Sequence, residues 1–165
     1  MSRLLLPCVM LIAVASCATH APGPTERVIN TVIPGTSTVV VVAEGELEPR
    51  SMGSYSVRTY AGSDPRFPYD RFIAGIVRPR DGTIERVLFS DLDHDGHPEI
   101  IVVTRSAGSG DFLCAEAFSL RITTLSLFES ACGLPKDADP VSALEGKLRG
   151  AADPGHAKRG HEPRR

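Results

Sequence analysis

Apolar and polar side chains alternate with a period of two residues along much of this chain. In the stretch SYSVRTYAG, residues 54–62, Tyr55, Val57 and Thr59 share one face while more polar neighbours share the other. This spacing predicts a half-buried β-strand. The run Glu99–Thr104 is instead apolar on both faces, which predicts a strand in the centre of a sheet.

Similar runs recur along the chain, separated by Gly, Pro and Asp residues. They lie at Thr38–Ala43, Arg71–Pro79, Thr83–Asp91, Phe112–Leu120 and Leu125–Cys132. The triplet DGT at 81–83 is typical of a hairpin turn, so we expect the strand after it to pair with the strand before it. The segment PVSALEGKL predicts a short helix that begins at Pro140. Together these elements predict an all-β fold, an antiparallel β-sandwich of about seven or eight strands with a short C-terminal helix.

The N-terminal segment has the pattern of an export signal. Residues 1–16 contain an early arginine, an apolar run and small residues directly before Cys17. This order is similar to the signal of a bacterial lipoprotein, in which Cys17 would become acylated and anchor the protein to a membrane. Ordinary cleavage after Ala15, which would release a soluble protein, is the alternative. Either way we expect a periplasmic or cell-envelope protein.

Composition divides the rest of the chain. Residues 17–36 begin with a stretch rich in Pro and Gly and are predicted to be a flexible tether. Residues 37–148 hold the predicted strands and helix. Residues 149–165 offer few apolar side chains and are predicted to be a disordered tail.

The net charge of the chain and its distribution argue against one class of partner, nucleic acids. The 165 residues carry a formal net charge of -2, with acidic and basic residues mixed along the chain. A nucleic-acid-binding protein needs a clustered basic face, so no nucleic-acid partner is expected.

Two of the four cysteines, Cys114 and Cys132, lie within the predicted domain. Their positions are symmetric about residue 123, inside the predicted turn RITT, so an antiparallel hairpin would place them opposite each other. Because an exported compartment is oxidising, we predict a structural disulfide. Two independent buried thiols are the alternative.

The segment DLDHDGHPE is an acidic loop. Asp91, Asp93, Asp95 and Glu99 alternate around a turn glycine, a spacing at which carboxylates can converge on Ca²⁺. It is not an EF-hand, because Val102 occupies the twelfth position. We predict calcium as a candidate ligand and no other cofactor. The alternative is an acidic turn whose aspartates accept hydrogen bonds from their own backbone.

The segment TRSAGSGDFL, residues 104–113, is longer than a tight hairpin requires. Gly108 and Gly110 would let the backbone take positive φ and approach a partner closely. Ser109 presents a hydroxyl and Phe112 an aromatic anchor of the kind that dominates protein interfaces. A disordered loop tip is the alternative.

Enzymatic chemistry is not expected at this loop. Ser109 lies between two glycines and two strands, whereas a nucleophile elbow needs G-x-S-x-G at a strand-to-helix turn. The histidines of the predicted domain, His94 and His97, lie in the acidic loop, where we expect exposed side chains.

The segments DRFIAGIVRPRDG, DLDHDGHPEIIVVTRSAGSGDFL, AEAFSL and GLPKDADPVSAL, with SYSVRTYAG before them, occur together in one order. Over Ser54–Leu144 the chain thereby resembles the bacterial periplasmic inhibitors of invertebrate-type lysozyme, the PliI family. The resemblance implies a β-sandwich that is not an enzyme and whose partner is a lysozyme. The runner-up function is a calcium-binding envelope lipoprotein with a structural or adhesive role.

The resemblance also implies an inhibitory loop made of Ser106, Gly108, Ser109, Gly110 and Phe112. The family inserts a Ser-Gly-x-Tyr motif into the lysozyme cleft, and Ser109 and Gly110 match its first two positions. Phe112 replaces the tyrosine, so a phenolic hydroxyl is lost at this position. A lost hydrogen bond to a charged group weakens binding by about 1.5–3 kcal/mol.

Overall fold

The structure is a computed structural model, and it describes residues 27–152. The predicted signal peptide, Cys17 and residues 153–165 lie outside the described residues. No helix among residues 27–152 is both long and apolar enough to cross a membrane.

Eight strands and one helix make up the described fold. The strands are β1 (Val28–Val32), β2 (Val39–Glu44), β3 (Met52–Tyr60), β4 (Phe72–Asp81), β5 (Thr83–Ser90), β6 (Glu99–Arg105), β7 (Leu113–Arg121) and β8 (Thr124–Leu134), and the helix is α1 (Pro140–Ala152). They form two four-stranded antiparallel sheets, β1-β2-β3-β4 and β5-β6-β7-β8, which we call sheet A and sheet B. The predicted β-sandwich is confirmed.

The predicted tether, 17–36, is wrong from Val28 onward. Residues Val28–Val32 form β1, which pairs with β2 along its whole length, Val28 opposite Ala43 and Val32 opposite Val39. Every second residue of β1 is exposed, so the segment has no apolar run that marks a strand by itself. Backbone pairing to the valine-rich β2 supplies the stabilisation.

The prediction of a hairpin at DGT, residues 81–83, is wrong, because the strands on either side of it belong to different sheets. Sheet A ends with β4 and sheet B begins with β5, and Gly82 alone joins them. Gly82 has φ +89, and a Cβ atom there would lie 1.8 Å from the carbonyl oxygen of Arg105. Glycine is therefore required at this corner, because the chain turns between the two sheets directly beneath the end of β6.

Sheet B is covered on both faces. One face packs on sheet A through a core that includes Val42, Val57, Ile100 and Phe118. The other face packs on α1, through residues that include Ile101 and Leu144. Because β6 lies between β5 and β7 and faces both cores, all its residues from Glu99 to Thr104 are buried, and the predicted central strand is confirmed.

Helix α1 begins at Pro140, as predicted, but continues to Ala152. The first four residues of the predicted disordered tail, Arg149–Ala152, are therefore helical. Asp139 caps the helix: its carboxylate accepts hydrogen bonds from the hydroxyl and the backbone N–H of Ser142, at 2.6 and 3.1 Å. These bonds, the side-chain bond foremost, lower the pKa of Asp139 below its ordinary value.

Replacing Asp139 by alanine is expected to lower the free energy of unfolding by about 1 kcal/mol at neutral pH, the usual contribution of a helix cap. Because the pKa is lower in the folded protein, this stabilisation is present above the unfolded pKa and disappears as pH falls through the folded value. Urea unfolding at pH 7 and at about pH 2 measures both ends of this dependence. Asp137→Ala, at an exposed position in the same turn, is the control. An equal Asp139→Ala effect at both pH values would contradict the assignment.

Polar groups also join the two sheets. The Tyr55 hydroxyl donates a 2.6 Å hydrogen bond to Glu116, and Arg78 donates another of 2.6 Å to the same carboxylate. Burial and the hydrogen bond to Glu116 raise the pKa of Tyr55 far above its ordinary range. The bond to Glu116 also raises the pKa of Arg78. These contacts tie β3 and β4 of sheet A to β7 of sheet B.

Candidate functional site

The hairpin β7–β8 carries the predicted disulfide. Cys114 lies opposite Cys132 in the strand register, and the two are bonded. At the tip, Arg121 pairs with Thr124, and this register alone would place Cys114 opposite Ala131. A bulge at Phe128 adds one residue to β8 and restores the pairing of the cysteines. The disulfide prediction is confirmed.

Strand β7 starts where a seven-residue loop, Ser106–Phe112, ends. We call this segment the 106–112 loop. Its ends are closed by a 2.9 Å hydrogen bond from the backbone N–H of Ser106 to the carbonyl of Phe112, and a turn joins Asp111 N–H to the Gly108 carbonyl at 3.4 Å. Arg105 donates a 3.2 Å hydrogen bond to the Asp111 carbonyl. The loop is therefore held by its own backbone and by the end of β6.

Positive φ is found in this loop at Asp111, with φ 48, and not at Gly108 or Gly110. The positive φ that glycine would allow is thus not adopted at either glycine. The glycines differ from each other in their surroundings. A Cβ on Gly110 would lie 2.2 Å from the ring of Phe112, whereas one on Gly108 would meet only the Ser106 hydroxyl at 3.5 Å. Gly110 provides the space in which the Phe112 ring lies.

The side chains at the tip of the loop are available for contact. Residues 107–112 are exposed, and half of the Phe112 surface is accessible, 50%. The Ser109 hydroxyl makes no hydrogen bond to any residue from 27 to 152. Phe112 also lines an open cleft of about 610 Å³, together with Met52, Glu116 and the disulfide.

The base of the loop rests on residues that the sequence did not indicate. The Arg80 side chain is completely buried and donates hydrogen bonds to the carbonyls of Pro49, Arg50, Ser54 and Gly82. Gly82 in turn packs against the backbone of Arg105, the residue before the loop. In the sequence, the glycine of DGT was the one signal for a sharp turn at this place. Nothing in the sequence distinguishes Arg80 from the other charged residues of the strands.

The acidic loop brings together three of the four predicted metal ligands. Carboxylate oxygens of Asp91, Asp93 and Glu99 lie within 4.8 Å of one another. Asp95 is outside this group, because its carboxylate forms an ion pair with Arg121, which also contacts Asp93 at 3.3 Å. The bond from Arg121 lowers the pKa of Asp95. Arg121 was not indicated by the sequence, since it lies on the next hairpin.

Backbone groups occupy much of the same acidic loop. Asp91 accepts hydrogen bonds from the N–H groups of Asp95 and Gly96, at 3.0 and 2.9 Å. Glu99 is buried and accepts a 2.9 Å bond from Leu92 N–H, and its burial raises the pKa of its carboxyl group. The self-capped turn is therefore formed, and calcium binding stays a prediction.

Calcium is expected to raise the unfolding temperature if the three converging carboxylates bind it. A ligand at a hundred times its dissociation constant stabilises the folded state by about 2.7 kcal/mol. Arg121→Ala is expected to enlarge this response, since it removes a cation that competes for Asp93. Thermal unfolding of wild type and Arg121→Ala, with millimolar Ca²⁺ or with chelator, measures the two responses. An unfolding temperature that Ca²⁺ leaves unchanged in both proteins would show that the acidic loop is only a turn and not a calcium site.

A rigid sandwich that presents one closed, exposed loop beside a cleft is the form of a protein-binding scaffold. The model of the family "Periplasmic lysozyme inhibitor of I-type lysozyme", PliI, matches residues 25–148. The chain therefore belongs to this family, whose members are periplasmic inhibitors and not enzymes. The resemblance noted in the sequence is confirmed.

Two solved structures are similar to this chain, each with 46% sequence identity and a TM-score of 0.66. The first is the inhibitor PliI-Ah from Aeromonas hydrophila, with 71% of this chain and 98% of that chain covered. The second is Aeromonas hydrophila PliI in complex with Meretrix lusoria lysozyme, with 72% and 94% covered. No curated protein sequence matches the chain.

Proposed function

We propose that this protein inhibits an invertebrate-type lysozyme by inserting the 106–112 loop, with Ser109–Phe112 at its tip, into the active-site cleft. The inhibitor thereby protects bacterial peptidoglycan. The observation that carries the proposal is the geometry of the loop: its base is fixed by backbone hydrogen bonds while Ser109 and Phe112 stay exposed. A relative with 46% identity has been solved in complex with a lysozyme.

The chemistry of the loop suits a glycosidase cleft. Such enzymes use two carboxyl groups, one of them kept protonated by its surroundings. The Ser109 hydroxyl can donate a hydrogen bond to the ionised carboxylate, and its geometry is preset because the loop is closed. The Phe112 ring can occupy a sugar subsite through apolar contact. Asp111 adds a negative charge that Arg105 does not offset, because Arg105 is bonded to the Asp111 carbonyl and paired with Glu85. The Asp111 carboxylate must therefore point away from the lysozyme carboxylates.

Ser109→Ala is expected to weaken inhibition about tenfold or more, because a hydrogen bond to a charged group contributes about 1.5–3 kcal/mol. Phe112→Tyr is expected to strengthen inhibition, since it restores the hydroxyl of the family motif. The measurement is residual muramidase activity of an invertebrate-type lysozyme over a titration of inhibitor. Ala107→Ser, exposed in the same loop, is the control. Absence of inhibition by the wild-type protein at micromolar concentration would contradict the proposal.

We also propose that acylation of Cys17 anchors the domain to a membrane of the cell envelope. The support is the order of an apolar run, small residues and cysteine at the N-terminus. Membrane fractionation of cells that express wild type or Cys17→Ala tests it. Equal partition of the two proteins into the soluble fraction would contradict the anchor.

A further inference from the structure

Three aromatic side chains form a cluster on sheet A, away from the 106–112 loop. The ring of Tyr60 lies 5.5 Å from that of Tyr69 and 5.8 Å from that of Phe72, centre to centre. Tyr69 is 48% exposed and Phe72 is 60% exposed. We call these three residues the aromatic patch. Exposed aromatic rings in one cluster are a common feature of ligand-binding surfaces.

The strand register places polar side chains beside the patch. Asn30, Val41, Arg58 and Gly75 occupy successive strands in one cross-strand row. Because Gly75 lacks a side chain, Phe72 lies above it: a Cβ on Gly75 would be 3.3 Å from the Phe72 ring. A recess of about 270 Å³ opens between Asn30, Arg58 and the two tyrosines of the patch.

The recess combines apolar rings with hydrogen-bonding groups. The Asn30 amide donates a hydrogen bond to the Tyr69 hydroxyl, so the two polar groups are held together at one side. Arg58 is exposed and forms no ion pair with an acidic residue between positions 27 and 152. The recess therefore offers aromatic faces, an amide, a hydroxyl and one uncompensated cation.

We propose that the aromatic patch, with Arg58 and Asn30, binds the glycan strands of peptidoglycan. The apolar face of a pyranose ring packs on aromatic side chains, and its hydroxyl and acetamido groups bond to Asn30 and Tyr69. Arg58 pairs with a carboxylate of the peptide attached to the strand. The size of the recess suits one sugar ring. A stable protein interface would bury about 800 Å² on each partner, and an anionic membrane surface would call for a cluster of several Lys or Arg residues.

The patch and the 106–112 loop lie at opposite ends of β4. Phe72 begins this strand and Asp81, next to the base of the loop, ends it. At about 3.3 Å per residue the strand separates them by about 30 Å. The two surfaces can therefore be occupied at once, which would hold the inhibitor on the polymer that lysozyme attacks. The proposal does not depend on insertion of the loop.

The test is sedimentation of the full chain with purified, insoluble peptidoglycan sacculi. Arg58→Glu and Phe72→Ala are expected to weaken binding about tenfold each, the loss typical of one charge-assisted hydrogen bond or one aromatic contact. Phe67→Ala is the matched control, since Phe67 is 56% exposed on the β3–β4 connection, near Tyr69 in sequence, but lies under Arg66 and outside the recess. Soluble disaccharide–peptide fragments of peptidoglycan, whose stem peptides carry free carboxylates, are expected to compete better than neutral N-acetylglucosamine oligomers.

Other outcomes separate this proposal from the inhibitory one. Ser109→Ala is expected to sediment like wild type, and Arg58→Glu is expected to inhibit lysozyme like wild type. Failure of wild type to sediment, or equal sedimentation of wild type, Arg58→Glu and Phe72→Ala, would overturn the glycan site. Loss of lysozyme inhibition by Arg58→Glu with unchanged sedimentation would make the patch a second lysozyme contact and would also overturn it.

Discussion

Replacing Gly110 by alanine is expected to weaken inhibition of lysozyme on the order of thirtyfold. The new methyl group would lie 2.2 Å from the Phe112 ring, so the ring must leave its position. Loss of an aromatic anchor at an interface costs about 2 kcal/mol or more. The free energy of unfolding should change little, because the loop is exposed and the ring can swing outward.

Gly108→Ala provides the matched control for this experiment. It is the same substitution two residues earlier, also without positive φ, and its methyl group meets only Ser106 at an ordinary 3.5 Å. The inhibition constant and the unfolding temperature are measured for wild type and both variants. Together they distinguish an effect of loop shape on inhibition from an effect of lower stability. Equal potency of Gly110→Ala and Gly108→Ala would show that the position of the Phe112 ring does not contribute.

Replacing Arg80 by methionine is expected to lower the free energy of unfolding by about 3–5 kcal/mol, because four backbone carbonyls lose a buried, charged hydrogen-bond donor. The Arg80 side chain is fully buried beside Glu44, with a closest approach of 3.8 Å. Methionine would fill much of the space but leave these four carbonyls without their donor, while Glu44 keeps its bond from Arg27 at 3.3 Å.

Arg66→Met is the control for this prediction. Arg66 is also paired with an aspartate, Asp64, but 80% of its side chain is exposed, so removal of its charge is expected to change stability little. Denaturant unfolding of both variants measures the difference. Since Arg80 also holds the Gly82 corner beneath Arg105, we expect the folded fraction of Arg80→Met to inhibit less well. Similar unfolding free energies for the two variants would refute the role of Arg80.

The local sequence pattern was sufficient to predict an element wherever one type of residue dominates the energetics of that segment. The doubly apolar run Glu99–Thr104 had to be covered on both faces, and it is. Pro140 alone predicted the start of α1, and the Asp139 cap in the structure lies directly before it. The class of the loop between β6 and β7 was also recognisable, because small residues and one aromatic at a strand end are typical of recognition loops.

Sequence alone could not place features that depend on distant backbone. No local pattern in the sequence indicates β1, because every second residue of this segment is exposed. The segment forms a strand only by pairing with β2. The register of the cysteines needed the bulge at Phe128 as well as their symmetry. The shape of the 106–112 loop depends on positive φ at Asp111, and not at Gly108 or Gly110, the two residues of the loop that adopt it most readily.

The amino-acid sequence by itself determined the β-rich composition of the core, the central position of β6, the pair of cysteines and the chemistry of the loop that contains Ser109 and Phe112. These follow from side-chain type and spacing, which act over a few residues. The tertiary structure decided that DGT is a corner between sheets and that Arg121 pairs with Asp93 and Asp95 of the acidic loop. Both depend on residues far apart in sequence, Gly82 with Arg105 and Arg121 with Asp95, which meet only after the strands of sheet B have paired.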